Sequence, residues 1–130
     1  MSEPPPESGQ AWLRRARSDL ALGRIAIMSA DVLPEDACFH AQQCTEKSLK
    51  ALLVQRAIAF PRTHVLELLL DLLRGAGVDV PAQVDEAFTL TQYAVQTRYP
   101  GAWEPVGSEE AEAALAIAAQ VLAWVETQIE

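Results

Sequence analysis

Apolar residues recur at alternating steps of three and four along segments of about twenty residues, and nothing else in the chain narrows its fold so far. From Ala11 to about Ala30 the seam is Leu13, Ala16, Leu20, Gly23, Ile27 and Ala30, while Arg14, Arg17 and Arg24 fall on a different stripe. Only a helix returns those residues to one face. The last twenty residues repeat the pattern with Leu115, Ala118, Leu122, Val125 and Ile129, behind Ser108 as N-cap and Glu109, Glu110 and Glu112 in the first turn.

Between these two seams, punctuation marks three more helices. Pro34 is a favoured first helical residue, followed by Glu35 and Asp36 to meet the positive helix N-terminus, and the pattern runs on to about Ala57. Phe60-Pro61-Arg62 forces an extended turn, after which Thr63 can cap a third helix carrying Leu66, Leu69, Leu70 and Leu73, ended by Gly75 and Gly77. Pro81 opens a fourth, with Val84, Phe88, Thr91 and Val95 on one line and Ala87, Leu90 and Ala94 beside it, stopped by Pro100-Gly101. Short connections between such helices predict an all-α, up-and-down antiparallel bundle of four to five helices.

Composition agrees with that class. Half the residues are hydrophobic but only 6% aromatic, with Ala and Leu dominating, which favours helix over strand. At 130 residues the chain suits one domain, here 11–130, behind an acidic, Pro-rich leader over 1–10 that reads as disordered and as neither signal nor transit peptide. VLELLLDLL is broken by Glu67 and Asp71, so no run approaches the ~18 to 20 residues of a membrane span. Cys38 and Cys44 lie six residues apart on one predicted helix, roughly 9 Å along its axis, too far for a disulfide. Reduced thiols point to the cytoplasm.

The formal charge of −8 argues against nonspecific nucleic-acid binding over the whole surface. Its distribution is uneven. Eight of the ten basic residues precede position 63 against seven acids there, whereas Arg74 and Arg98 alone face eleven acids afterwards. A basic face is therefore available only in the N-terminal half.

The densest chemistry lies in CFHAQQCTEKSLKALL, residues 38–53. At 100° per residue, Ala37, Ala41, Cys44, Ser48 and Ala51 form a narrow strip of small residues that lets a neighbouring helix approach closely. His40, Gln43, Lys47 and Lys50 share one flank, with Gln42 and Glu46 further round the outer side. Two readings of that flank compete. Either Lys47 and His40 satisfy acids of a neighbouring helix, or the flank lines a groove in which lysine ammoniums with His and Gln donors take up an anion. Neither His40 nor His64 has a second His or Cys at ligand spacing, so no metal site is indicated. No Gly-rich phosphate loop occurs and no other cofactor is implied.

The run ACFHAQQCTEKSLKALL, then FPRTHVLELLLDLL, then YAVQTRYPG before an Ala-rich final helix, resembles the HEPN domain family of small prokaryotic helical proteins. His40, Gln43, Glu46, Lys47 and Lys50 match the polar positions of the family's second helix. Phe60, Pro61, Arg62, Thr63 and His64 match the turn before the third, and Arg98, Tyr99 and Pro100 the end of the fourth. The resemblance implies a bundle that usually dimerises and commonly acts beside a minimal nucleotidyltransferase, many such pairs behaving as toxin and antitoxin. Some members are metal-independent RNases carrying an Arg followed after four to six residues by a His.

The chain departs from that motif. No histidine follows Arg98, where Trp103 and Glu104 stand in the window, and before His64 the nearest arginines, Arg62 and Arg56, are too near and too far. RNase chemistry of this kind needs an imidazole to move a proton and an Arg to hold phosphate charge in one cleft. The leading expectation is thus a noncatalytic module that binds a nucleotide, a nucleic acid or a nucleotidyltransferase partner through His40, Gln43, Glu46, Lys47, Lys50, Arg62, His64, Arg98 and Tyr99. The alternative is an RNase toxin with an atypical site, and a third reading is a scaffold that only dimerises. A homodimer is expected because the last helix carries two apolar stripes, Leu115, Ala118, Leu122 and Val125 beside Ala114, Ile117, Val121 and Trp124.

Overall fold

A computed structural model describes residues 7–94 and 105–129. Three long helices, α1 (Gly9–Met28), α2 (Pro34–Gln55) and α5 (Ser108–Ile129), form the body of an antiparallel bundle. A shorter helix, α3 (Leu66–Gly75), and a single α turn, α4 (Ala82–Asp85), continuing into a 3-10 helix (Glu86–Tyr93), complete it. None of the described helices is long and apolar enough to cross a membrane.

α2 is the central element, packed against α1, α5, α3 and the 3-10 helix. Its small strip, Ala37, Ala41, Cys44, Ser48 and Ala51, is wholly buried, as the spacing predicts. The burial goes further round the helix: Cys38, Gln42, Thr45, Glu46, Leu49, Lys50, Leu52 and Leu53 are buried as well. The outward placement expected of Gln42 and Glu46 is therefore corrected. A helix with neighbours on several sides has no outer face at that point, and a single-seam wheel cannot register this. On α1, a Cβ at Gly23 would fall 2.5 Å from Leu115 Cδ2, so the absent side chain lets α5 approach α1 closely.

Helix limits follow local chemistry with two exceptions. α1 starts at Gly9 with Ser8 as N-cap, its hydroxyl accepting from Ala11 N–H at 3.1 Å, two residues before the Ala11 at which the apolar pattern begins. Thr63 does not cap α3. It lies too far ahead and accepts from Val65 N–H instead, while the Leu66 N–H at the helix start donates to Thr91 Oγ1 of the 3-10 helix at 3.0 Å.

The fourth helix differs most from expectation. Its buried residues are Val84, Ala87, Leu90 and Tyr93, a period of three, as a 3-10 helix with three residues per turn requires. Phe88, predicted on the apolar line from the 3.6-residue period, is consequently exposed. Val95 and the Pro100-Gly101 stop lie outside the described residues.

Candidate functional site

Two carboxylates organise the polar residues of α2. Asp19 enters from α1 on the buried side of that helix; its Oδ1 lies 3.0 Å from His40 Nδ1 and its Oδ2 accepts from Lys47 Nζ at 2.5 Å. Glu46 comes from α2 itself. Its Oε2 accepts from Lys50 Nζ at 2.9 Å, and its Oε1 meets His64 Nδ1 at 2.8 Å and Gln42 Nε2 at 3.1 Å. Each cluster joins a carboxylate, a lysine and a histidine. Since a carboxylate only accepts, Nδ1 of each ring is the donor and Nε2 is left to face elsewhere.

The Glu46 cluster also fixes the backbone. Gln42 Nε2 donates to the His64 carbonyl at 3.2 Å, and Gln43 Nε2 donates to Gln42 Oε1 at 2.7 Å. Lys50 Nζ lies 5.7 Å from the ring centroids of both Trp12 and Phe60, which meet edge to face at 6.4 Å. Its charge is held between a carboxylate and two aromatic rings. Burial alone would raise the Glu46 carboxyl, but hydrogen bonds from Lys50, His64 and Gln42 outweigh it and hold Glu46 below the ordinary value of 4.5.

The remaining buried polar groups on α2 are satisfied within the helix, Thr45 donating to the Ala41 carbonyl at 2.9 Å and Ser48 to that of Cys44 at 2.7 Å. Among the described residues no buried side-chain nitrogen or oxygen lacks a hydrogen-bond partner. Burial pushes the Cys44 thiol up to about 12, so it stays protonated and unreactive near neutrality. Both cysteines are free and buried.

A cavity of about 470 Å³ opens beside this network, lined by Glu7, Trp12, Arg15, Glu46 and Lys47. Of the residues expected at a site, Glu46 and Lys47 reach it, and His40, Gln43, Lys50 and His64 lie in the two clusters around it. Arg62 is exposed and makes no ion pair with a described residue. Arg98 and Tyr99 lie outside the described residues.

Sequence reasoning missed Asp19, Trp12 and Arg15. The first had a signal: an acid on the Ala16, Gly23 and Ala26 side of α1, the side that faces the core. Trp12 and Arg15, one turn apart on α1, line a cavity only once α1 lies against α2. Lys47 and His40 do satisfy an acid of a neighbouring helix, but that acid precedes position 63 and belongs to α1.

A helical bundle whose central helix carries a histidine, two glutamines, a buried Glu and two lysines, tied through Glu46 to a histidine in the turn before α3, defines a class of small all-α modules. Residues 10–128 match the HEPN domain family, and the chain belongs to that family. Two solved structures support the assignment. An archaeal HEPN homologue, ST0689, is 28% identical with a TM-score of 0.75, covering 95% of this chain and 98% of its own. TT1696 from Thermus thermophilus is 36% identical, also with a TM-score of 0.75, covering 93% and 98%. No curated protein matches.

Proposed function

We propose that the chain is a noncatalytic HEPN module of the cytoplasm that binds a nucleotide or nucleic acid and acts as partner of a minimal nucleotidyltransferase in a toxin–antitoxin-like pair. The observation that carries this reading is the cavity on the polar flank of α2, which brings an aromatic ring and an arginine to residues at the family's polar positions. Family membership supports the partner. The noncatalytic part rests on the missing Arg-to-His spacing and is supported by the engagement of both histidines by carboxylates.

A homodimer belongs to the same proposal, on a different face from the one the sequence suggested. The two stripes of α5 are largely used up inside the chain: Ala114, Leu115, Ala118, Val121, Leu122 and Val125 are buried, and Ile117 and Trp124 pack partly buried against the core. The surplus apolar surface is instead on α1 and the turn after it, where Ile25 is 67%, Met28 86% and Leu33 63% exposed. That face is the proposed contact between copies.

One experiment tests the binding reading. Purified protein is titrated calorimetrically with AMP and with a short single-stranded RNA in EDTA, and the RNA is then run on a gel. Binding of either probe with the RNA left intact is the expected result. RNA cleavage that survives EDTA would overturn the noncatalytic reading in favour of an atypical RNase.

A further inference from the structure

The lysines that mark the polar flank are already neutralised, so an anion must be met by a different cation. Lys47 is bound to Asp19 and Lys50 to Glu46, the latter also enclosed by two aromatic rings. Arg15 lines the cavity, is exposed, and makes no ion pair with a described residue. Trp12 lies one turn before it on α1 and forms the aromatic wall of the same cavity. Both oxygens of Glu46 are occupied, which leaves the exposed Glu7 as the acceptor at the rim with capacity to spare.

We infer that this cavity is a mononucleotide site read by α1: the base stacks on Trp12, the phosphate pairs with Arg15, and Glu7 accepts from an exocyclic amine or a ribose hydroxyl. The inference rests on the nucleotide reading above and narrows it to a free nucleoside monophosphate, for which AMP is the probe. Three features favour one nucleotide over a polymer. The volume of about 470 Å³ suits a single small ligand. Among the described residues, one aromatic wall and one cation without an ion pair line the cavity, which gives one base position and one phosphate position. A net charge of −8 favours a ligand with one phosphate over a polymer that must be held through many.

The test measures AMP, adenosine, inorganic phosphate and a six-nucleotide RNA by calorimetry against wild-type protein, Arg15→Met, Trp12→Leu and Trp12→Phe. AMP should bind most tightly, with adenosine and phosphate each at least tenfold weaker. Arg15→Met should weaken AMP at least tenfold and leave adenosine unchanged, whereas Trp12→Leu should weaken AMP and adenosine alike and Trp12→Phe should restore most of the loss. Arg15 makes no ion pair with a described residue, and a thermal melt checks that Arg15→Met and Trp12→Leu fold as the wild type does. Equal AMP affinity in wild type and Arg15→Met overturns the inference. Binding of RNA without AMP overturns it while leaving the broader reading in place, and wild-type protein that binds none of the four probes overturns both.

Discussion

Asp19 and Glu46 gather the same three chemical groups and put them to different uses. At Asp19 the carboxylate comes from α1 and its lysine and histidine from α2, so the cluster fastens two long helices together. At Glu46 the carboxylate and lysine share α2, and the histidine arrives from the turn before α3. The second cluster is the more deeply buried at its lysine and the more open at its histidine. Side-chain exposure is 9% for Lys50 against 21% for Lys47, and 66% for His64 against 21% for His40. Burial of an ion pair contributes little net stability, but removal of one partner strands the other charge, and the cost then depends on how far that charge is from water.

The comparison breaks most sharply on deletion of each carboxylate. Glu46→Ala leaves the Lys50 ammonium beneath Trp12 and Phe60 with no counter-ion, and should lower unfolding free energy by about 3–5 kcal/mol. Asp19→Ala frees Lys47 to reach solvent from a shallower position and should cost about 2–3 kcal/mol. Urea denaturation of both variants gives the order. A larger loss at Asp19 would mean that the α1–α2 fastening, not the enclosed Lys50, dominates.

Acid separates the clusters next. Glu46 has a carboxyl held below 4.5, so its contribution is fully present above that value and is lost as pH falls through the lowered one. The denaturation midpoint of wild type should therefore fall as pH drops below 4.5, and Glu46→Gln, which cannot ionise, should flatten that slope. An unchanged slope in Glu46→Gln would place the acid sensitivity elsewhere.

How much of this was legible in the sequence depends on the kind of signal. The α1 seam as far as Ile27, the Pro34 start, the small-residue strip of α2 and the Gly77 end of α3 were readable because each is a local rule expressed in local residues, whereas Ala30, expected on the seam, lies past the helix end and is exposed. Gly77, at φ +87, lets its own N–H reach the Arg74 carbonyl and that of Val78 reach Leu73, and a glycine there announces the bend. α2 ends with the same pair of bonds, Ala57 to Val54 and Ile58 to Leu53, but on an alanine at φ 55, which carries no such announcement. The 3-10 helix was misread because residues 84, 87, 90 and 93 fit a loose helical spacing before they reveal a period of three. Of the site, the flank residues on α2 were visible as a cluster. Their partner Asp19 was not, because pairing across helices depends on a packing arrangement that a single-helix wheel does not contain.

The smallest effect falls on the histidines, and it sharpens the contrast between a closed and an open cluster. His40 packs edge to face on Phe39 at 5.3 Å as well as meeting Asp19, so His40→Ala removes contact area together with a charge-assisted hydrogen bond and should cost about 1–2 kcal/mol. His64 is mostly in water, and its bond to Glu46 is backed by Lys50 and Gln42, so His64→Ala should cost less than about 1 kcal/mol. Reactivity should run the other way. Diethyl pyrocarbonate attacks an accessible imidazole, and the His64 side chain is far more exposed than that of His40. Wild-type protein near pH 7 should therefore show one fast-modifying histidine that disappears in His64→Ala and persists in His40→Ala. Two histidines modified at the same rate would show that His40 is as open as His64 and that the two clusters do not differ in the way their burial indicates.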